Sequence, residues 1–369
     1  MKLSRHSLLR RRASELRAAL GTGKNWARLL LTGRLPNLIT WRIEERKRER
    51  GGRRIERIVV AYDFHKQPLS VGDSLTFVAL GLALRDRFAH ATLDVAFLGN
   101  PRVRHSLWRG WPPAYIASLA SRMAEVARNT AGVAQVHLFD ERAGFESFLA
   151  HAARNDYVWP EWRQYITGEY MHYSLHNDII RLCTLPQLHF VEEPKRKAAD
   201  ILRQTAARIN VTVQLRHSSF QSERNSQWAA WKAFFAFARE QHPDVGFVLI
   251  GSQEEADHFS EELPNVLVAK KLGTSLLLDL ALVSCAAGHL GTGSGPGVVA
   301  EFSDRPYVMW THGIPTELWV DAEQHGDVLR FPHFVADQKL ITSPETPESI
   351  IKHGGELLRA IAARHPRSP

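Results

Sequence analysis

The sequence predicts an α/β protein: two doubly wound, Rossmann-like domains facing a cleft, preceded by a basic helical arm. Three observations carry this expectation. From Arg57 onward, strand-like apolar runs alternate with helix-like runs, the pattern of parallel sheets covered on both faces. The alternation lapses into an irregular, aromatic-rich section and restarts near Ile209, which makes two series. The length, 369 residues, accommodates two domains. The expected divisions are an arm over 1–54, a first domain over 55–200 and a second over 201–369.

The arm concentrates the charge. Residues 1–57 hold 17 Lys/Arg and 5 Asp/Glu, yet the whole chain is only +8, so the remainder is mildly acidic. Leu and Trp are mixed among the arginines of "SLLRRRASELRAALGTGKNWARLLLTGRLPNLITW". Basic helices with an apolar face bind anionic membrane surfaces, so residues 1–54 are expected to meet one; an inert, solubilising arm is the alternative. Nucleic acid is not expected as a partner, because the body is acidic and shows no nucleic-acid module.

In the first series "RIVVAYDF" reads as a buried strand and "GDSLTFVALGLALRDRF" as a helix with Asp73 or Ser74 near its cap. "ATLDVAFLG" is a strand, "YIASLASRMAEVARN" a helix and "AQVHLFD" a strand. The aromatic section then contains a helix with His172 and His176 on one face. The second series runs "INVTVQLR" (strand), "SQWAAWKAFFAFAREQH" (helix, with Trp228, Trp231, Phe235 and Ala238 inward) and "VGFVLIG" (strand). It continues with "SQEEADHFSEEL" (helix), "NVLVA" (strand), "TSLLLDLALVSCA" (helix) and "GHLG" (strand). "GVVAEF" and "RPYVMW" close it as helix and strand.

Composition narrows the class. With only Cys183 and Cys285, no disulfide scaffold and no zinc spacing is expected, and a reduced, cytoplasmic compartment follows. No apolar run reaches membrane-spanning length, and the first residues lack the apolar core of a secretory signal. No metal site is expected.

The chemistry-bearing residues gather at one edge. In open parallel sheets, ligands sit beyond the C-terminal ends of the strands. There the second series places Arg216, His217, Arg224, Asn225 and Lys270, then the turn of "GHLGTGSGPGVVAEFSDRPYV" with Thr292, Ser294, Gly295, Pro296 and Gly297. Arginine forks and the N–H groups of a strand–turn–helix junction are natural partners of a diphosphate. A plain tight turn is the alternative reading. The Gly-x-Gly-x-x-Gly dinucleotide spacing fails, since Pro296 or Val298 stands at its last position. A Gly-Lys-Ser/Thr loop and an Asp-x-Asp pair are also absent from the sequence.

The second series resembles the C-terminal half of the heptosyltransferase-like glycosyltransferases, which have the two-domain GT-B fold. The resemblance runs through "VTVQLRHSSFQSERNSQW", "VGFVLIGSQEEA", "NVLVAKKLGTSLLLDLALVSCAAGHL" and "GTGSGPGVVAEFSDRPYV", about 100 residues. It implies that Arg224 lies near the donor phosphates and that Ser294–Pro296 set backbone N–H groups on the diphosphate. The family usually has Asp before Ser-Gly-Pro and His two residues after the Pro, where this chain has Gly293 and Val298. In the looser N-terminal match, Gly72–Asp73 stand where the family carries its catalytic base. A positioned carboxylate suits removal of a hydroxyl proton, although Asp is equally a preferred cap. Asp63, His65, His172 and His176 are then acceptor-side candidates.

The implied function is metal-independent, inverting transfer of a sugar from a nucleotide-diphosphate sugar, a co-substrate with no cofactor beside it. The acceptor would be a hydroxyl of a cell-envelope glycan or glycolipid, at the cytoplasmic face of the membrane. A non-catalytic nucleotide- or glycan-binding scaffold, or an epimerase on the same fold, is the alternative.

Overall fold

A computed structural model describes residues 34–51, 55–88, 91–167, 186–219, 221–259, 261–293, 295–311 and 322–366. Chain contacts divide it into two units. The first comprises the described residues of Met1–Leu69, Leu84–Ala124 and Gly132–Leu175, and the second those of Ser70–Ala83, Glu125–Ala131 and His176–Pro369.

The first unit is built on four parallel strands, β1 (Arg57–Asp63), β2 (Thr92–Leu98), β3 (Gln135–Phe139) and β4 (Tyr157–Trp159), in the order β3-β2-β1-β4. The run IVVAYD in β1 is buried throughout, as β-branched residues covered on both faces should be. Helices α1 (Arg34–Gly51), α4 (Arg142–Ala152) and α5 (Trp162–Thr167) belong to this unit. Helices α2 (Val71–Arg87) and α3 (Pro113–Arg128) each have residues in both units.

Helix α1 is the described part of the basic arm. Its Leu35, Leu38 and Trp41 are buried, α1 packs on α4, and Arg34 forks onto Glu146 at 2.8 and 2.6 Å. Trp41 meets the Tyr165 ring at 5.2 Å. Ile39 and Ile43 of the same helix remain exposed; residues 1–33 lie outside the described residues. Among the described residues no helix is long and apolar enough to cross a membrane.

The second unit holds β5 (Ile209–Gln214), β6 (Val245–Ile250), β7 (Val266–Val268), β8 (Gly288–Thr292), β9 (Tyr307–Trp310), β10 (Glu323–His325), β11 (Val328–Arg330) and β12 (Gln338–Ile341). Six of them run parallel in the order β7-β6-β5-β8-β9-β12, and β10–β11 add an antiparallel edge. In order of appearance this is 3-2-1-4-5-6, the doubly wound order whose switch point lies between the first and fourth strands. The helices are α6 (Glu192–Arg203), α7 (Trp228–Gln241), α8 (Gln253–His258), α9 (Leu276–Cys285), α10 (Gly297–Glu301) and α11 (Pro347–Arg364).

Helix α7 buries Trp231, Phe234, Phe235 and Ala238 against Val211, Val213, Phe247, Leu249 and Trp310. Each such large apolar side chain contributes about 1.5–3 kcal/mol on burial. Helix α7 packs on α11, and α6 on α9.

Candidate functional site

The switch point of the second sheet lies between β5 and β8, which pair over Val211–Gln214 and Gly288–Gly291. Close approach there dictates a glycine: a Cβ on Gly291 would strike the Gln214 carbonyl. Beyond the strand ends, two segments meet. One is the loop after β5 with its 3-10 turn at Ser222–Arg224; the other is the glycine turn after β8.

The β5 loop is closed by its own polar groups. Arg216 and Ser226 exchange hydrogen bonds, Ser226 N–H to Arg216 O and Arg216 N–H to the Ser226 side-chain Oγ, both 2.9 Å. Asn225 clamps Ser218 from both sides, accepting its N–H at 2.9 Å and donating to its carbonyl at 3.0 Å. Arg224 then crosses to the glycine turn and donates to the Gly293 carbonyl at 2.7 Å, with its other nitrogen on Gln221 Oε1 at 2.7 Å. His217 stacks on His258 at 3.6 Å, and its N–H faces Glu255 Oε1 at 3.4 Å. Burial pushes the Glu255 carboxyl up, opposed by Ser252 and by Arg216. The same burial lowers the Arg216 guanidinium.

Underneath lies a buried carboxylate that sequence reasoning missed. Glu345 accepts from Thr292 Oγ1 at 2.6 Å and from Gln227 N–H and Trp231 Nε1, each at 2.9 Å. Thr292 Oγ1 also bonds Ser226 Oγ. Since a carboxylate only accepts, Thr292 donates to it, Ser226 donates to Thr292, and Ser226 is left to accept the Arg216 N–H. One relay therefore ties together the ends of β5 and β8, the start of α7 and the loop before α11. The sequence offered only the Ser-Pro-Glu-Thr-Pro context of a helix start at residues 343–347, which says nothing of a contact to residues 226–231.

Three glycines of the turn are explained by this chain's own atoms. Besides Gly291, a Cβ on Gly295 would sit 2.7 Å from Val71 Cβ and 2.8 Å from Gly72 N, and one on Gly297 2.9 Å from Met309 Sδ. Residues 70–83 belong to the second unit with the turn, so Val71 and Gly72, just before Asp73, lie against Gly295. Asp73 stands in the first turn of α2, where Ser70 is its partner: the Ser70 hydroxyl bonds the Asp73 carboxylate and accepts the Asp73 N–H at 3.0 Å. Ser70, rather than Asp73 or Ser74, therefore does the capping. Pro296 precedes α10, which spans five residues and so supplies backbone N–H groups with little macrodipole.

Lys270 is committed elsewhere, donating to Asp279 Oδ2 at 2.7 Å and to the Thr274 carbonyl at 2.6 Å. Ser294, His172 and His176 lie outside the described residues.

Asp63 and His65 end β1 in the first unit and are engaged internally. Arg142 forks onto the Asp63 carboxylate, one arm at 3.0 Å. Arg142 also donates to the Tyr165 hydroxyl at 2.9 Å, and that hydroxyl to Glu146 at 3.0 Å. Burial pushes Asp63 up, but Arg142 overrides it and holds the carboxyl at about 2. His65 Nε2 accepts the Asn100 N–H at 2.7 Å, and burial lowers its pKa. Arg142 lies 79 residues from Asp63, a pairing without a local sequence signal.

No protein-family model matches the sequence, and no curated protein matches it. Solved structures do. The glycosyl transferase family 9 protein of Veillonella parvula DSM 2008 superposes with a TM-score of 0.53 at 13% identity, over 83% of this chain and 97% of its own. The ADP-heptose lps heptosyltransferase II of E. coli superposes with a TM-score of 0.50 at 16% identity, over 82% of this chain and 99% of its own. With its two parallel sheets, the chain has the GT-B fold of the heptosyltransferase-like glycosyltransferases.

Proposed function

We propose that this chain is a glycosyltransferase that moves a hexose or heptose from a nucleotide-diphosphate donor to a hydroxyl of a cell-envelope glycan or glycolipid. The observation that carries the reading is the switch-point crevice itself. Arg216 and Arg224 stand at the mouth of β5, Arg224 reaches the glycine turn, and Val71–Gly72, the residues before Asp73, lie against that turn. The name of the similar E. coli protein, a heptosyltransferase using an ADP-heptose, points to the same donor class.

In this mechanism the acceptor hydroxyl attacks the anomeric carbon as Asp73 takes its proton, and the bond from that carbon to the diphosphate breaks. Attack opposite the leaving group inverts the configuration. The departing diphosphate takes the electron pair, and Arg216, Arg224 and the backbone N–H groups of the turn stabilise it in place of a metal. Such preorganised donors are usually the largest catalytic term.

A second reading has its own observation. The Ser70–Asp73 pair and the packing at Gly295 account for both features without catalysis, as in a nucleotide-binding scaffold.

Thermal-shift titration with ADP, UDP, GDP, CDP and dTDP separates the readings. A nucleotide at a hundred times its Kd stabilises the folded state by about 2.7 kcal/mol. One nucleotide should raise the Tm of the wild type, and Arg224→Ala should weaken it about tenfold or more. Asp73→Asn should keep the shift and lose sugar transfer. A shift with no transfer by the wild type favours the scaffold, and no shift at millimolar nucleotide ends both.

A further inference from the structure

The loop between β2 and α3, residues 99–112, carries an unusual surface. Between Asp94 and Glu125 the chain has no acidic residue, although the body as a whole is acidic. Arg102, Arg104 and Arg109 are exposed on this loop. Between them stand Val103 and Leu107, exposed to 44% and 63%, with Trp108 and Trp111 half-buried beside them.

The loop is held out rigidly. Its anchor, His105, is buried; Nε2 bonds the Gln67 carbonyl at 2.8 Å, and Nδ1 accepts the N–H groups of Leu107 and Trp108 at 3.0 and 2.9 Å. Two accepted bonds fix Nδ1 as the bare nitrogen, so Nε2 carries the proton. Ser106 N–H donates to the His65 carbonyl at 2.9 Å, and Asn100 N–H to His65 Nε2. Trp108 stacks on His105 at 5.1 Å, and Trp111 meets Tyr115 at 4.5 Å. Leucine and valine at the tip, tryptophans behind and arginines around them form the arrangement that suits a bilayer interface. Apolar side chains enter the acyl boundary, indoles sit at headgroup depth, and arginines meet anionic lipid.

The geometry points to the 99–112 loop as a docking surface for an anionic phospholipid bilayer. Charge complementarity selects this occupant. The inference does not rest on the reaction proposed above, since vesicle binding needs no nucleotide.

The test is co-sedimentation of the full chain with phosphatidylcholine vesicles, with and without phosphatidylglycerol. The wild type should bind the anionic vesicles alone and release as salt rises. Each basic residue at such a surface is worth about fivefold in partition, so the triple variant Arg102→Gln, Arg104→Gln, Arg109→Gln should bind on the order of 100-fold more weakly. The pair Val103→Glu, Leu107→Glu should also lose binding, with unchanged circular dichroism and unfolding temperature. Hydrogen exchange on the wild type, free of any folding effect, should slow over the loop on addition of anionic vesicles. Loop variants that bind like the wild type overturn the assignment. So does binding abolished only by Lys/Arg→Gln replacements within residues 1–33. Retention on heparin without vesicle binding overturns it in favour of a soluble polyanion.

Discussion

The ends of β1 and β5 occupy the same place in two sheets whose first four strands follow the same order, and they are finished in opposite ways. At β1 the terminal residue is an acid, Asp63, sealed under Arg142 and Tyr165. At β5 a half-buried cation follows, and Arg224 beyond it spends its guanidinium on neutral oxygens. Topology fixes where a crevice forms; side chains decide whether it is already neutralised. A carboxylate held at about 2 is ionised at neutral pH yet too weak a base to take an acceptor's proton, which leaves Asp73 as the proposed base.

Cutting the β1 network gives the largest expected effect. Arg142→Met leaves Asp63 buried and unpaired, which should cost about 3–5 kcal/mol in denaturant unfolding. Adding Asp63→Asn should recover a large part of it; a single-variant cost below about 1 kcal/mol would show that solvent reaches Asp63.

The matching cut at β5 is Glu345→Ala. It strips the acceptor from the Thr292 hydroxyl, the Gln227 N–H and the Trp231 indole at once. At about 1–3 kcal/mol per buried unsatisfied group, partial relaxation should leave a loss of about 3 kcal/mol. The nucleotide-induced Tm shift should also fall, because both lips of the crevice are released. An unchanged nucleotide shift would mean that the relay supports the core alone.

The smallest effect is a difference in acid sensitivity. Burial pushes His289, on β8, down to about 3, whereas an unfolded histidine titrates near 6.5. Below about 6.5 the unfolded state binds the extra proton, so stability is lost as pH falls from about 6.5 toward 3. Asp63 has the depressed carboxylate's signature, and its contribution disappears only as pH falls from about 3.8 through about 2. His65 and His105 of the first unit are also lowered by burial, so both units lose stability below about pH 6.5, and the second should lose more because His289 is displaced furthest. Hydrogen exchange at stepped pH reads the difference, and His289→Gln should flatten the slope of the second unit.

Much of this fold was legible because its signals are local. The IVVAYD run of β1, the aromatic stripe of α7 and the glycine junction after β8 each announce an element within a few residues. Phe234 escaped the stripe as read, since a helix buried this deeply has a wider apolar face than one strict row. The strands β10–β12 and helix α11 carry short or mixed patterns that a periodicity reading passes over. The site was legible as a list of cations at one sheet edge. What stayed hidden was partnership: that Lys270 belongs to Asp279, Asp63 to Arg142, and Thr292 to Glu345. Such pairings depend on tertiary approach, and nothing in one sequence marks them.

The relay under the crevice also sets an order of assembly. Gln227 and Glu345 are 118 residues apart, and contacts of such separation form only after the loop-closure entropy of the intervening chain has been met. A nascent chain that has made β5, β8 and both arginines still lacks the carboxylate that locks them in register. The residue that ties the two lips of the crevice together thus arrives from a distant part of the second series, and the proposed nucleotide binding should appear only once the segment around Glu345 has docked.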